Sequence, residues 1–387
     1  MTRRTSTGSD IADSSFAIVA NGFADGPAQA LRDHLVGLGA RVVAVFHPLN
    51  REQGTRHVVT EYVDGRQVSR RSTAIPLRPP LSFAADPFVP LRVPAVDVWF
   101  GFNPLACARG LIARRIGRAR RVILWSVDFV PERFGRTPLT RVYDRIDRLC
   151  CTRADVRVEL SSTARDARNA HHRLSGEPVP TFVLPMGAWI ERVPTVPEGG
   201  VEQRRVVFLG HLVPRQGVEL LLDAISVLDQ RGVAVEAEII GGGPLLADLQ
   251  ARASQLDIDA KVRFHGFVEG HHRVEELLAR GFIAVAPYMP SADSFTRYAD
   301  PGKLKAYLAA GLPTVLTAVP PNASELEELA GAQLVPYDGQ ALADAIERGL
   351  ESPERWRERR QAALTYAERF DWEVLLRDFL AAIGFRK

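Results

Sequence analysis

Residues 286–317 read APYMPSADSFTRYADPGKLKAYLAAGLPTVLT. An apolar strand ends in a polar loop, a helix starts near Pro301 and stops at Gly311, and PTVLT follows as a second strand. This is a β-loop-α-β unit, the building block of a parallel sheet. The loop places Asp293, Arg297, Asp300 and Lys303 at the carboxyl end of a strand, where open α/β sheets bind ligands. The chain has four lysines against forty-five arginines, and Lys303 and Lys305 both fall here. A cation in a first helical turn, beside free backbone N–H groups and the positive helix end, suits a phosphate.

The same alternation extends outward. RVVFLGH (205–211), VEAEIIGGGP (235–244), KVRFHGF (261–267) and AQLVPY (332–337) predict strands, with helical stretches between them and a mostly helical end over 353–385. A separate array precedes it. SFAIVANGF (15–23), RVVAVFHP (41–48), VDVWFGF (96–102), RRVILWS (120–126), VRVEL (156–160) and TFVLPM (181–186) predict strands, and a helix runs from Pro27 to about Gly37. Residues 49–94 are irregular and rich in Pro and Arg, with a hairpin turning at Asp64-Gly65. ERVPTVPEGGVEQR (191–204) reads as the linker. The expected organisation is a disordered tail over 1–13, an N-terminal domain over 14–190, this linker, a C-terminal domain over 205–365, and a last segment over 366–387. Two doubly wound α/β domains would face each other across a central cleft.

Composition agrees with two domains. A chain of 387 residues exceeds one ordinary core, and 46% hydrophobic with 25% charged residues is that of a soluble globular protein. A net charge of +3 gives no case for nucleic acid. Cys107, Cys150 and Cys151 have no metal spacing and, with the polar start MTRRTSTGSD and no apolar run of membrane-spanning length, predict a cytoplasmic protein. The basic run Arg109, Arg114, Arg115, Arg118, Arg120 and Arg121 faces water or allows a weak peripheral membrane contact.

Taken together, FLGHLVPRQGVELLLDAI, IIGGGP, VRFHGFV and YADPGKLKAYLAAGLP resemble the C-terminal domain of GT-B glycosyltransferases of the group 1 type. The terminal FDWEVLLRDFL is similar to the helix with which such enzymes cross back to their N-terminal domain. The resemblance implies a nucleoside-diphosphate sugar as co-substrate, no cofactor and no metal. Its donor side would use Gly210, His211, Arg215, Gly242, Gly243, Phe267, Val268, Asp300, Lys303 and Tyr307, and Asn21, Gly22 and Gly26 would form the acceptor-side loop. The chain departs from the common pattern, because Tyr298 and Ala306 stand where two glutamates are expected. His211 and Gln216 likewise replace an arginine and a lysine. A lysine-type donor loop, similar to that of the xanthan glucuronosyltransferase, fits Lys303 better and implies an aspartate base at Asp128, with Glu132 in reserve.

That chemistry needs a cation to neutralise the leaving diphosphate, assigned to Lys303, and a carboxylate in reach of the acceptor hydroxyl, assigned to Asp128. Inversion and retention both stay open, and nothing specifies the acceptor. The competing functions are a nucleotide-sugar epimerase or hydrolase of the same fold and a non-catalytic binding protein. Asn21-Gly22 and Gly26 do not make a dinucleotide fingerprint. Asp257-Ile258-Asp259 reads as a solvated loop, and the pairs His171-His172 and His271-His272 read as non-metal residues.

Overall fold

The computed structural model describes residues 9–23, 25–49, 53–79, 82–85, 93–194, 196–290 and 295–386. The chain forms two compact units, Met1–Pro185 with Glu373–Lys387, and Met186–Trp372.

In the first unit a two-residue strand β1 (Ser9–Asp10) precedes β2 (Ser15–Asn21), β3 (Arg41–His47), β4 (Arg56–Val63), β5 (Arg66–Ala74), β6 (Val96–Gly101), β7 (Ala119–Ser126), β8 (Val156–Glu159) and β9 (Thr181–Val183). The sheet order is β5-β4-β3-β2-β6-β7-β8-β9, parallel from β3 to β9. Strands covered on both faces read as apolar runs, as in residues 16–20 of β2, 42–46 of β3 and 98–100 of β6. The β4–β5 hairpin is antiparallel and turns on Asp64 and Gly65, both at positive φ, the geometry that matches strand twist. β8 breaks the apolar rule, since Arg157 and Glu159 are fully buried within it.

The second unit contains β10 (Arg205–Leu209), β11 (Glu236–Ile240), β12 (Val262–Gly266), β13 (Ile283–Ala286), β14 (Thr314–Thr317) and β15 (Gln333–Val335). All pairings are parallel, in the order β12-β11-β10-β13-β14-β15. The chain winds outward from β10 in one direction and from β13 in the other. Their carboxyl ends therefore open a crevice at the reversal of strand order. One core, with Phe208, Leu221, Ile239 and Val285, covers one side of the sheet, and another, with Val207, Ala284, Tyr307 and Leu308, covers the other.

Residues 1–8 of the expected tail lie outside the described residues, while β1 pairs in parallel with β16 (Phe385–Arg386). The helix Trp372–Ala382 places Phe379 against Trp125 and Phe182 at centroid distances of 5.3 and 5.6 Å. Arg121 donates to the Ile383 carbonyl at 2.7 Å. Residues 191–204 carry two short 3-10 turns, and Glu198 pairs there with Arg357 at 2.7 Å.

Candidate functional site

The crevice at β10 and β13 is built around Lys303. The side chain leaves the first turn of the helix Gly302–Ala309, which follows the loop after β13. Its Nζ donates to Gln216 Oε1 at 2.6 Å and lies 4.3 Å from the ring centroids of both Phe208 and Tyr288. Phe208 belongs to β10, Gln216 to the loop after it, and Tyr288 follows β13, so both strands of the crevice hold the ammonium. Among the described residues no carboxylate pairs with it. Burial drives its pKa well below the ordinary lysine value, and a phosphate would reverse that.

Backbone approach fixes the surrounding loops. Gly217 has φ +67°, and a Cβ there would sit 1.8 Å from the Pro287 carbonyl oxygen. Gly241 has φ +141°, and its Cβ would lie 2.0 Å from the Gly210 oxygen. Only glycine fits either place. Gly210 N–H donates to Ile240 O at 3.0 Å and Leu212 N–H to Gly242 O at 2.9 Å, which joins the loops after β10 and β11.

Phe267, just past β12, is 77% exposed and lies where a Cβ at Gly242 would come within 3.3 Å of it, whereas Val268 is half-buried against the core. An exposed ring at a strand end can stack a planar group. His211 is exposed, and Arg215 is half-buried with its pKa lowered by burial. Two donor-side residues point elsewhere. The Tyr307 hydroxyl accepts from Leu209 N–H at 2.7 Å and donates to Val285 O at 3.3 Å, tying β10 to β13 inside the core. Asp300 accepts from Lys305 Nζ at 2.8 Å, Met186 N–H at 2.7 Å and Asn322 Nδ2 at 3.3 Å, so its carboxylate anchors the start of the lysine-bearing helix. Asp293 lies outside the described residues.

In the first unit, the strand-order reversal falls between β2 and β6. Asn21 at the end of β2 accepts from Asn103 Nδ2 at 2.7 Å, and Asn103 caps the helix Pro104–Arg115 through Ala106 N–H at 2.8 Å. Gly22 N–H donates to His47 O at 2.8 Å, and Gly26 precedes the helix Pro27–Gly37 as its N-cap. His47 and His57, both buried, share an Nδ1–Nδ1 hydrogen bond of 2.7 Å. Burial first, then His57 and Arg109, push the His47 pKa down to about 3, so this imidazole stays neutral.

Asp128 lies past the end of β7. Its Oδ1 accepts from Arg133 at 2.5 Å, and its carbonyl accepts from Arg168 at 2.7 Å. Arg168 is enclosed: it also pairs with Asp147 and with Glu159, the latter at 2.9 Å, while Arg157 meets Glu159 at 3.0 Å and His172 meets Asp147 at 2.8 Å. Burial disfavours the Asp147 charge, but Arg168 and His172 outweigh it and hold its pKa below the usual value. Glu159 is shifted up, because burial outweighs its arginines. Glu132 is exposed, at φ 50°, beside Arg136.

Asn103, the His47–His57 pair and the Arg168 network were missed in the sequence. Arg and Glu alternating inside the short apolar strand VRVE were the available signal for the last. Arg114 pairs with Asp155 at 2.5 Å and Arg120 with Asp97 at 3.3 Å, so part of the basic run is tied internally. His171 pairs with Asp144, His271 with Glu275 and His272 with Glu276. Among the described residues, no three His, Cys, Asp or Glu side chains gather as a metal site. No helix among them is long and apolar enough to cross a membrane.

A family model described as "Glycosyl transferases group 1" matches residues 203–352, the stretch that holds the crevice. The chain is 30% identical over 182 residues to the GDP-mannose-dependent alpha-(1-6)-phosphatidylinositol dimannoside mannosyltransferase of Mycobacterium tuberculosis, covering 46% of this chain and 43% of that protein. It thus spans less than half the length of that curated relative. Sucrose-phosphate synthase from Thermosynechococcus elongatus matches with a TM-score of 0.71 at 15% identity, covering 96% of this chain and 98% of the other. HepE from Anabaena in complex with UDP matches with a TM-score of 0.65 at 16% identity, covering 96% and 99%. These structural matches cover 96% of the chain, so the fold outside residues 203–352 is also GT-B.

Proposed function

We propose that the protein transfers a hexosyl group from a nucleoside-diphosphate sugar to an acceptor hydroxyl, without a metal. The observation that carries this is the ammonium of Lys303, which meets no carboxylate among the described residues and is held at the sheet crevice by Gln216, Phe208 and Tyr288. It stands at the N-terminal turn of a helix, where backbone N–H groups add to it. As the glycosyl bond breaks, charge grows on the departing diphosphate, and a preorganised cation in a low-dielectric setting stabilises it. Phe267 stacks on the base and the glycines after β10 and β11 let the diphosphate approach the backbone.

Asp128 is assigned to the acceptor hydroxyl, as base or as orienting acceptor, with Arg133 beside its carboxylate and Arg168 holding its carbonyl. The name of the mycobacterial relative makes GDP-mannose the first donor to try, and the UDP bound to HepE makes UDP-glucose the second. The test is calorimetry with GDP, UDP, ADP and TDP, followed by donor turnover in wild type, Lys303→Ala and Asp128→Asn. Nucleotide binding that survives Lys303→Ala would remove the donor assignment. Undiminished turnover in Asp128→Asn would remove the acceptor one.

A non-catalytic binding role has one observation in its favour, the absence of both expected glutamates at Tyr298 and Ala306. Nucleotide binding without any donor consumption would select it. We assign the reaction to the cytoplasm, where three free buried thiols persist. A weak lipid contact fits the outer face of the helix Pro138–Arg153, where Leu139, Val142 and Leu149 are about half exposed beside exposed Arg141, Arg145 and Arg148. Co-sedimentation with phosphatidylglycerol vesicles that is unchanged in Val142→Glu/Leu149→Glu would dismiss it.

A further inference from the structure

The second unit has a small cavity at the other end of its sheet. It measures 70 Å3 and lies at the amino ends of β13, β14 and β15, where Thr314 and Gln333 are the first residues of their strands. The helices Gly339–Glu351 and Pro353–Ala367 cover it and contribute Arg348, Arg355, Trp356 and Arg359.

Three arginines converge on this cavity, and among the described residues none of them meets a carboxylate within ion-pair distance. Arg359 is half-buried and donates to the neutral amide oxygen of Gln333, at 3.1 Å. Neighbouring arginines on the same helix are used differently. Arg357 pairs with Glu198, and Arg360 donates to the carbonyls of Val196, Ala310 and Gly311. Like charges gathered without a counter-charge disfavour one another. Burial first, then Arg355 and Arg348, lower the Arg359 pKa, which reports that crowding. One wall is fixed and apolar: Trp356 stacks on Phe282 at 4.7 Å, and its indole N–H is bonded to Phe282 O at 2.8 Å.

We propose that Arg348, Arg355 and Arg359 form an anion site for a single phosphoryl group, separate from the donor crevice. Guanidinium forks match phosphate oxygens in bidentate geometry, and a low-dielectric wall strengthens each contact. The size selects one phosphoryl group, because whole small molecules need about 300–1,000 Å3. Anything attached to the phosphoryl group lies outside the cavity. β13 and β14 have four residues each, so roughly 13 Å of strand separates this cavity from the crevice of Lys303. The site is independent of the glycosyltransferase reading.

The source of the phosphoryl group is either free phosphate or a phosphorylated small molecule. Calorimetry on the full chain, at low ionic strength, would titrate inorganic phosphate and glycerol 3-phosphate into three proteins: wild type, Lys303→Met and Arg348→Gln/Arg355→Gln. Arg348 and Arg355 are exposed, so the double variant keeps its core. The expected result is saturable binding that persists in Lys303→Met and weakens by about tenfold or more in the arginine variant. Equal affinity for the two probes identifies free phosphate, and tighter binding of the ester identifies a phosphorylated metabolite. Absence of saturable binding to wild type, or binding indifferent to the arginine substitutions, overturns the proposal.

Discussion

Lys303 Nζ lies 2.6 Å from Gln216 Oε1, so this cation of the proposed donor crevice is held by a neutral partner. An amide oxygen orients the ammonium without cancelling its charge. The cost falls on the empty protein, which must enclose a charge. Between the lowered folded pKa and the usual lysine value, the unfolded chain binds a proton that the folded chain does not, so stability rises with pH across that window. Lys303→Met removes the slope and should raise the thermal midpoint near neutral pH by roughly 2–4 °C, while nucleotide binding is lost. A variant that loses both stability and binding would instead make Lys303 a structural residue.

The same shift predicts a proton balance. A diphosphate raises the Lys303 pKa, so binding takes up a proton where the empty site is neutral and the filled site is charged. Nucleotide affinity should therefore fall as pH rises through that window. Calorimetry in buffers of different ionisation enthalpy measures the uptake, and zero uptake in wild type contradicts the site.

In the proposed function Phe267 serves as the base platform. Phe267→Ala should weaken nucleotide binding by about 1–3 kcal/mol and leave pyrophosphate affinity and thermal stability unchanged, since the ring is mostly exposed. Equal weakening of both ligands would move the base elsewhere.

Asp300 and Lys305, both nearly fully buried, should behave as a structural clip. Lys305→Met leaves the carboxylate without its cation and should cost about 3–5 kcal/mol in urea unfolding. Asp300→Asn/Lys305→Met should recover part of that loss. A single variant within about 0.5 kcal/mol of wild type would refute the clip.

Arg168→Met tests whether the buried network positions Asp128. Turnover should fall more than donor affinity, because Arg168 holds the Asp128 backbone, whereas the donor is assigned to the crevice of the second unit. Acid stability adds a second readout. The stability contributed by Asp147 is complete above the unfolded aspartate pKa of about 3.9 and is lost as pH falls through its lower folded value. Asp147→Asn should flatten that acid limb, and an unchanged limb would assign it to other groups.

The strands of both sheets were legible because parallel strands covered on two faces are written as apolar runs, as in FAIVA (16–20) and IAVA (283–286). Lys303 was legible from its place at a helix start in an arginine-rich chain. Tyr307 and Asp300 lie in the same motif but face the core and the helix base. Sequence spacing could not show this. Lys303 and Tyr307 are four residues apart and share a helix face, yet the tyrosine hydroxyl bonds the backbones of β10 and β13 while the ammonium meets Gln216, and Asp300 precedes the helix. Phe208 and Tyr288 were hidden for the converse reason: each reads as part of an apolar strand end, yet both rings close on the ammonium. The partners of Arg168 come from separate elements, and nothing local links them.

The meeting of Gly217 with Pro287 has a consequence for how this protein could change. Main chain touches main chain there, with no side chain between to be trimmed or enlarged. Selection for a different donor cannot widen the phosphate floor by exchanging residues at that junction. On the proposed donor reading, new specificities would have to arise at side chains such as Gln216 and Phe267, and libraries aimed there should yield altered base preference while the junction stays invariant.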